Sequence, residues 1–281
     1  MIENNIPLER HDCVNGRFYS NNDGNHKIYH PSVTTILNIV AKGEQFDRWL
    51  GDSKSYQDAM DYANNKASIG TVVHIALEYM LQEPNLTLEI EPIIKDFNEN
   101  NYYKIHKNDI KKVSKCVMGG LQFFHENEIK AEALELQLWD KDLPFSGTAD
   151  LICKRKNPKT GKFERWLIDF KTGRENPEVE LQLTFYKRLF EKIYKKKIKK
   201  IGALYIGNTW KKKPTYKLKE FKYNPKLAKD VLELYAWKYG KNGEMPKPYF
   251  SKEYPTVFSL NKIQGVYNEW SDYDHQLGKT S

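Results

Sequence analysis

The sequence predicts an α/β fold, a mixed central β-sheet flanked by helices and preceded by a largely helical N-terminal part. Three observations predict it. Residues 132–171 repeat with period two and are broken by two turn signals, which reads as an antiparallel meander. Several segments before them carry helical periodicity instead. After them, a helix from Asn176 to about Lys197 leads into the short apolar run "IGALYIG" (201–207), the pattern of a crossover into a buried strand.

The elements follow in order. "GRFYSNNDGNHKIYHPSVTTILNIV" (16–40) starts as a hairpin, with Asp23-Gly24 as the turn signal, and becomes a helix near Ser32 or Thr34. Residues 44–66 read as a helix. Ser68 is placed to cap a second helix over about 69–82 that Pro84 ends. Residues 91–106 and 109–128 read as two more. In "EALELQLW" (132–139), Leu134, Leu136 and Leu138 share one face, and Glu135, Gln137 and Trp139 the other. "TADLICK" (148–154) and "FERWLIDFK" (163–171) are the next two strands. Asn176 caps the crossover helix, with Pro177 at its first position. "YKLKEFKY" reads as an edge strand, and Asn224-Pro225 opens a last helix to about Tyr239. The chain is expected to be one domain, 1–281: a hairpin and helical part to 130, a sheet core over 131–240, and a C-terminal extension over 241–281.

Composition excludes several classes. With 281 residues, 40% of them hydrophobic, the chain can bury a large core. Three scattered cysteines, Cys13, Cys116 and Cys153, form no zinc or iron–sulfur pattern and suit a reducing, cytoplasmic setting. No apolar run approaches the roughly 18 residues of a membrane span. The net charge is +8, yet residues 187–229 alone carry 16 Lys/Arg against 2 Asp/Glu, so the rest of the chain is acidic. This block, with Tyr194, Tyr205, Trp210, Tyr216 and Tyr223 interleaved, reads either as solvated lysines or as a phosphate-facing surface.

The chemistry concentrates in residues 147–173. Asp150 and Asp169 interrupt apolar strands, where an unpaired carboxylate is costly. Asp169 and Lys171 leave one strand face, roughly 6–7 Å apart, while Phe170 points into the core. Asp150 lies in the neighbouring strand, on the face opposite Ala149 and Leu151. Two close carboxylates call for a cation between them, and a hard divalent ion such as Mg²⁺ takes oxygen ligands. Lys171 is then placed to hold an attacking water and neutralise charge on a phosphoryl oxygen. The set suits metal-assisted phosphodiester hydrolysis; a buried ion network without catalysis is the plain alternative.

Gly147-Thr148-Ala149-Asp150, Asp169-Phe170-Lys171-Thr172-Gly173, and Gln182 with Tyr186 together resemble the PD-(D/E)xK nuclease superfamily, in particular its RecB-type exonucleases. Gly70 to His74 match an upstream Gly-x-x-x-His element of that branch. "YHPSVTTIL" with "GTVVHIALE" is similar to phage-encoded and mitochondrial genome maintenance exonucleases. The resemblance implies a restriction-endonuclease-like core. It implies metal ligation by His74, Asp150, Asp169, the Phe170 backbone carbonyl and Glu135, with Glu78 orienting His74. A nitrogen ligand suggests that Mn²⁺ can replace Mg²⁺. It also implies that Gln182 and Tyr186 contact the DNA backbone or Lys171. Thr172 and Arg174 are placed to bind phosphate, and Ser32 and Thr34 form either an anion site or an ordinary helix cap. The expected activity is a DNA exonuclease for recombination, repair or replication. A structure-specific or restriction-type endonuclease, a non-catalytic nucleic-acid-binding protein, and RNA as substrate stand as alternatives. Ala149 replaces the superfamily's proline, which changes no ligand. The chain has no four-cysteine cluster and no Walker motif.

Overall fold

The computed structural model describes residues 2, 8–23, 26–40, 42–83, 85, 87–207, 209–241 and 244–250. The turn at Gly24, the helix stop at Pro84 and most of the 241–281 extension therefore lie outside the described residues. The described residues up to Pro248 belong to one compact unit, and Tyr249 and Phe250 to a second that runs to Ser281.

A five-stranded mixed sheet forms the centre, in the order β4 (Lys130–Asp140), β5 (Leu143–Lys156), β6 (Phe163–Lys171), β7 (Lys200–Ile206), β8 (Tyr216–Phe221). Only β6 and β7 pair in parallel, and α6 (Glu178–Tyr194) supplies the connection that a parallel pair needs. This is the predicted α/β architecture. α6 starts one residue later than expected, with Pro177 rather than Asn176 at the cap position; Asn176, just ahead of it, accepts at Oδ1 from the Glu178 backbone N–H at 3.0 Å. The helix stops at Tyr194 rather than Lys197, because Lys195 turns left-handed at φ 53°. Asn224 caps α7 (Pro225–Tyr239) in the expected way.

Hydrophobic side chains cover both faces of the sheet, so its strands are nearly continuously apolar. On one face, Leu136, Leu138, Ala149, Ile152 and Leu167 pack with α6, α7 and α1 (Val33–Leu37). On the other, Leu151, Cys153, Trp166, Ile168 and Phe170 pack with α3 (Tyr56–Gln82), α4 (Ile90–Asn100) and α5 (Lys107–Glu126). Among the described residues, no helix is long and apolar enough to cross a membrane.

Before this core, β1 (Glu9–Cys13), β2 (Gly16–Asp23) and β3 (His26–Pro31) form a separate antiparallel sheet. It touches the core through a parallel bridge between Ser32 and Ser146. Nothing in "ERHDC" marks β1 as a strand; its alternation is polar on both faces.

Two helix expectations are corrected. The segment 44–82 is a short α2 (Glu44–Gly51) followed by one continuous α3 of 27 residues. Ser55, not Ser68, caps α3, accepting from the Asp58 backbone N–H at 3.0 Å. Ser68 is buried inside the helix, and its hydroxyl donates to the Tyr103 carbonyl. The first half of α3 was read as helix, but it buries only Ala59 before Ser68, so it carries no clear apolar stripe that would show its continuity with the second half.

The basic block does not form one surface. Lys200 pairs with Trp166 and Tyr205 with Lys171, so "KKKIKK" and the Asp169–Lys171 end of β6 are about 17 Å apart along the strands. The interleaved aromatics also serve packing. Tyr205 is buried, the Tyr216 hydroxyl donates to Glu126, and Trp210 Nε1 donates to the Lys115 carbonyl.

Candidate active site

Glu135 and Asp150 face each other across β4 and β5. The flanking pairs Leu134 with Leu151 and Leu136 with Ala149 keep one register on both sides of them. Yet both strands change face at this point. Ala133 and Leu136 lie in one apolar cluster and Leu134 in the other; Ala149 lies in one and Leu151 in the other. The expectations of a shared face for Leu134, Leu136 and Leu138, and for Ala149 and Leu151, therefore fail. In β4 the cause is visible in the backbone: Glu135 is left-handed at φ 42°, a conformation costly for a non-glycine residue. The face change frees both carboxylates from the core.

β5 and β6 part at the same level, since their last ladder pair is Leu151 with Ile168. Asp150 Oδ2 takes over the pairing, accepting from the Phe170 backbone N–H at 2.7 Å. Asp169 and Lys171 leave the face towards α6, and Phe170 enters the opposite apolar cluster, as their spacing predicts. Lys171 Nζ lies 2.6 Å from Asp169 Oδ2. That oxygen, fully buried, makes no hydrogen bond of regular geometry beyond this ion contact. Gln182 on α6 spans the pair: its Nε2 donates to Asp169 Oδ1 at 3.0 Å, and its Oε1 accepts from Lys171 Nζ at 3.3 Å.

His74 reaches the cluster from α3. Its Nε2 donates to the Phe170 carbonyl at 2.9 Å, because a carbonyl oxygen only accepts. Nδ1 is left 3.5 Å from Asp150 Oδ2. In the neutral ring that nitrogen carries a lone pair facing a carboxylate, which is unfavourable without a cation between them. Ligand atoms of His74, Glu135 and Asp150 lie within 4.8 Å of one another. Burial, then Asp150, Glu78 and Asp169, push the Glu135 carboxyl up to about 8. Burial and Asp169 push Asp150 up to about 6, against His74, Lys171 and the Phe170 N–H. Three carboxylates thus share too few cations, and a divalent ion fits the donor set of one imidazole and several oxygens. Burial disfavours the Lys171 ammonium, but Asp169 and Asp150 outweigh it, so its pKa is raised and it stays charged.

The other expected residues separate. Glu78 accepts from Gln82 at 2.9 Å and makes no hydrogen bond to His74, so the expected direct orientation of His74 is not present. Tyr186 is buried at 4% exposure and cannot present a surface to DNA; its hydroxyl accepts from Gln182. Gly147 makes room for it, since a Cβ there would stand 2.5 Å from Tyr186 Cε1. Ser32 is buried as well. Its Oγ caps α1 through the Thr35 N–H, and Thr34 bonds to it at 2.9 Å, the ordinary cap rather than an open anion site. Thr172 and exposed Arg174 line a groove of about 1470 Å³ that opens beside Lys171. Residues of α2 and of the first half of α3 form its other wall, which the sequence reading missed.

A family model described as the PD-(D/E)XK nuclease superfamily matches residues 50–242, well over half of the chain, which takes in the five-stranded sheet and α3 to α7 but not β1–β3, α1 or most of α2. No curated protein matches it.

Proposed function

From the premise that the chain belongs to the PD-(D/E)XK nuclease superfamily, we propose a metal-dependent DNA exonuclease that works on DNA ends or single strands. The observation that carries this reading is the meeting of Asp150, Asp169 and Lys171 where β5 and β6 part, with His74 and Glu135 beside them. His74, Glu135, Asp150, Asp169 and the Phe170 carbonyl would hold Mg²⁺, or Mn²⁺ in its place. The ion supplies stabilisation of charge developing on the phosphoryl oxygens.

The chain's own residues do the rest. Lys171, charged and fixed by Asp169 and Gln182, donates a hydrogen bond to the attacking water and faces the developing negative charge. Gln182 and Tyr186 position Asp169 and Lys171 rather than the substrate. Arg174 and Thr172 contact phosphates along the groove. A role in recombination, repair or replication follows from the chemistry of resecting DNA ends.

The test uses end-labelled linear DNA and covalently closed circular DNA, each with Mg²⁺ and with EDTA. Metal-dependent loss of the linear DNA with intact circles is expected. Cleavage of the circles would move the assignment to an endonuclease. Lys171→Ala should abolish cleavage with a retained fold, and undiminished activity would refute the site.

A further inference from the structure

We propose that the groove beside the site is a stacking channel for the bases of single-stranded DNA, built by Phe46, Trp49 and Tyr62. This deepens the nuclease reading by naming the form of the substrate, and it rests on that reading for the reaction alone.

α2 is amphipathic, yet none of its residues is buried. Its apolar side is not spent on the core: Phe46 and Trp49 line the groove instead. The rings form a continuous row. Phe46 and Trp49 have centroids 5.4 Å apart, and Trp49 and Tyr62 6.4 Å apart. Tyr62 is 57% exposed. A cation stands at each end of the row, Lys42 at 4.7 Å from the Phe46 ring and Lys66 at 5.3 Å from the Tyr62 ring. Aromatic platforms interleaved with lysines bind single strands, because every base has a π-face and every linkage a phosphate. In a duplex those faces are already stacked on neighbouring bases.

The channel leads to the chemistry. Tyr62, Lys66, Gly70 and His74 follow one another in steps of four along α3, a single ridge from the aromatic row to the cluster. The opposite wall begins at Thr172, the residue after Lys171. Gly70 lets this ridge come close to the strand end that carries Lys171, since a Cβ there would lie 3.1 Å from Thr172 Oγ1. Charge agrees with a polyanion. Glu175 in the wall is paired with Lys217 and Lys219, leaving Lys42, Lys54, Lys66 and Arg174 against Glu44, Asp52 and Asp58.

The experiment is fluorescence anisotropy in EDTA, so that binding is read without cleavage. The probe is a fluorescein-labelled oligothymidylate of about 16 nucleotides, the upper range of single-strand sites, with a duplex of equal length as the comparison. Trp49→Ala and Tyr62→Ala should each weaken single-strand binding about tenfold or more, Trp49→Phe should restore most of it, and duplex binding should not change. Tyr62 is largely exposed, so its variant tests the channel even where Trp49→Ala disturbs α2. Unchanged single-strand binding in both alanine variants, or equal losses on single strand and duplex, would overturn the channel. An inactive enzyme that still shows the selective loss would sink the nuclease reading and leave the channel standing.

Discussion

Glu135 and Asp150 stand opposite each other on β4 and β5, at the one level where both strands turn their side chains from one face to the other. Burial raises both carboxyls, and each sits in the field of Asp169. The folded protein therefore binds protons here more tightly than the unfolded chain does. The sign follows: the stability that this pair contributes is greatest in acid and falls as pH rises from the ordinary carboxyl range through about 6 and about 8. Without metal, the melting temperature should drop across pH 5–8, by an amount equivalent to a few kcal/mol. Mg²⁺ should reverse the drop, most strongly at the alkaline end, where it no longer competes with protons. A flat profile in EDTA would contradict the crowded carboxylates.

Gln182 touches both Asp169 and Lys171 but need not touch substrate. Gln182→Ala should lower kcat by about 10–100-fold, the usual cost of losing a ligand's supporting partner, with KM little changed. Gln182→Glu would add a fourth acid to the cluster: it keeps an acceptor for Lys171 but loses the donor to Asp169, so it should lower kcat, while the added negative charge should lower the metal concentration needed for half-maximal activity. Steady-state kinetics over a metal titration separates the two effects; a pure KM effect would reassign Gln182 to DNA contact.

The architecture was readable because strand and helix periods differ over long stretches. The β4–β6 meander, the crossover helix and the α7 cap all follow from local patterns. So did the joint departure of Asp169 and Lys171 from one face, since β6 keeps strict alternation. The face change at Glu135 and Asp150 was not readable, because a positive φ at a glutamate leaves no compositional mark. Burial of Tyr186 and Ser32 depends on what packs over them, and the aromatic row depends on α2 and α3 meeting across some fifteen residues of chain. Such facts are tertiary. The only local hint was an amphipathic α2 rich in aromatics.

His74 offers the one nitrogen among oxygen donors, with Nδ1 turned towards Asp150. Nitrogen ligands favour Mn²⁺ over Mg²⁺. His74→Ala should therefore weaken Mn²⁺ affinity more than Mg²⁺ affinity, by about tenfold against a smaller factor. Isothermal titration calorimetry of both ions on wild type and variant measures this directly. Equal losses for the two ions would mean that His74 acts only through its hydrogen bond to the Phe170 carbonyl.

Gly147 and Tyr186 make a packing prediction that is independent of metal. A methyl group at position 147 would press on the Tyr186 ring at 2.5 Å, and that ring is held between β5 and Gln182. Gly147→Ala should cost about 1–3 kcal/mol of stability, the usual range for overpacking. Because Tyr186 steadies Gln182, the same variant should also lower activity at temperatures where it is fully folded. Tyr186→Leu in the Gly147→Ala background removes the obstructing ring, so the two changes should cost less together than the sum of their separate costs. Chemical denaturation of the four proteins of this cycle gives the coupling. Strict additivity would mean that α6 shifts as a body to admit the methyl, and that the ring does not fix the height of Gln182 above Asp169.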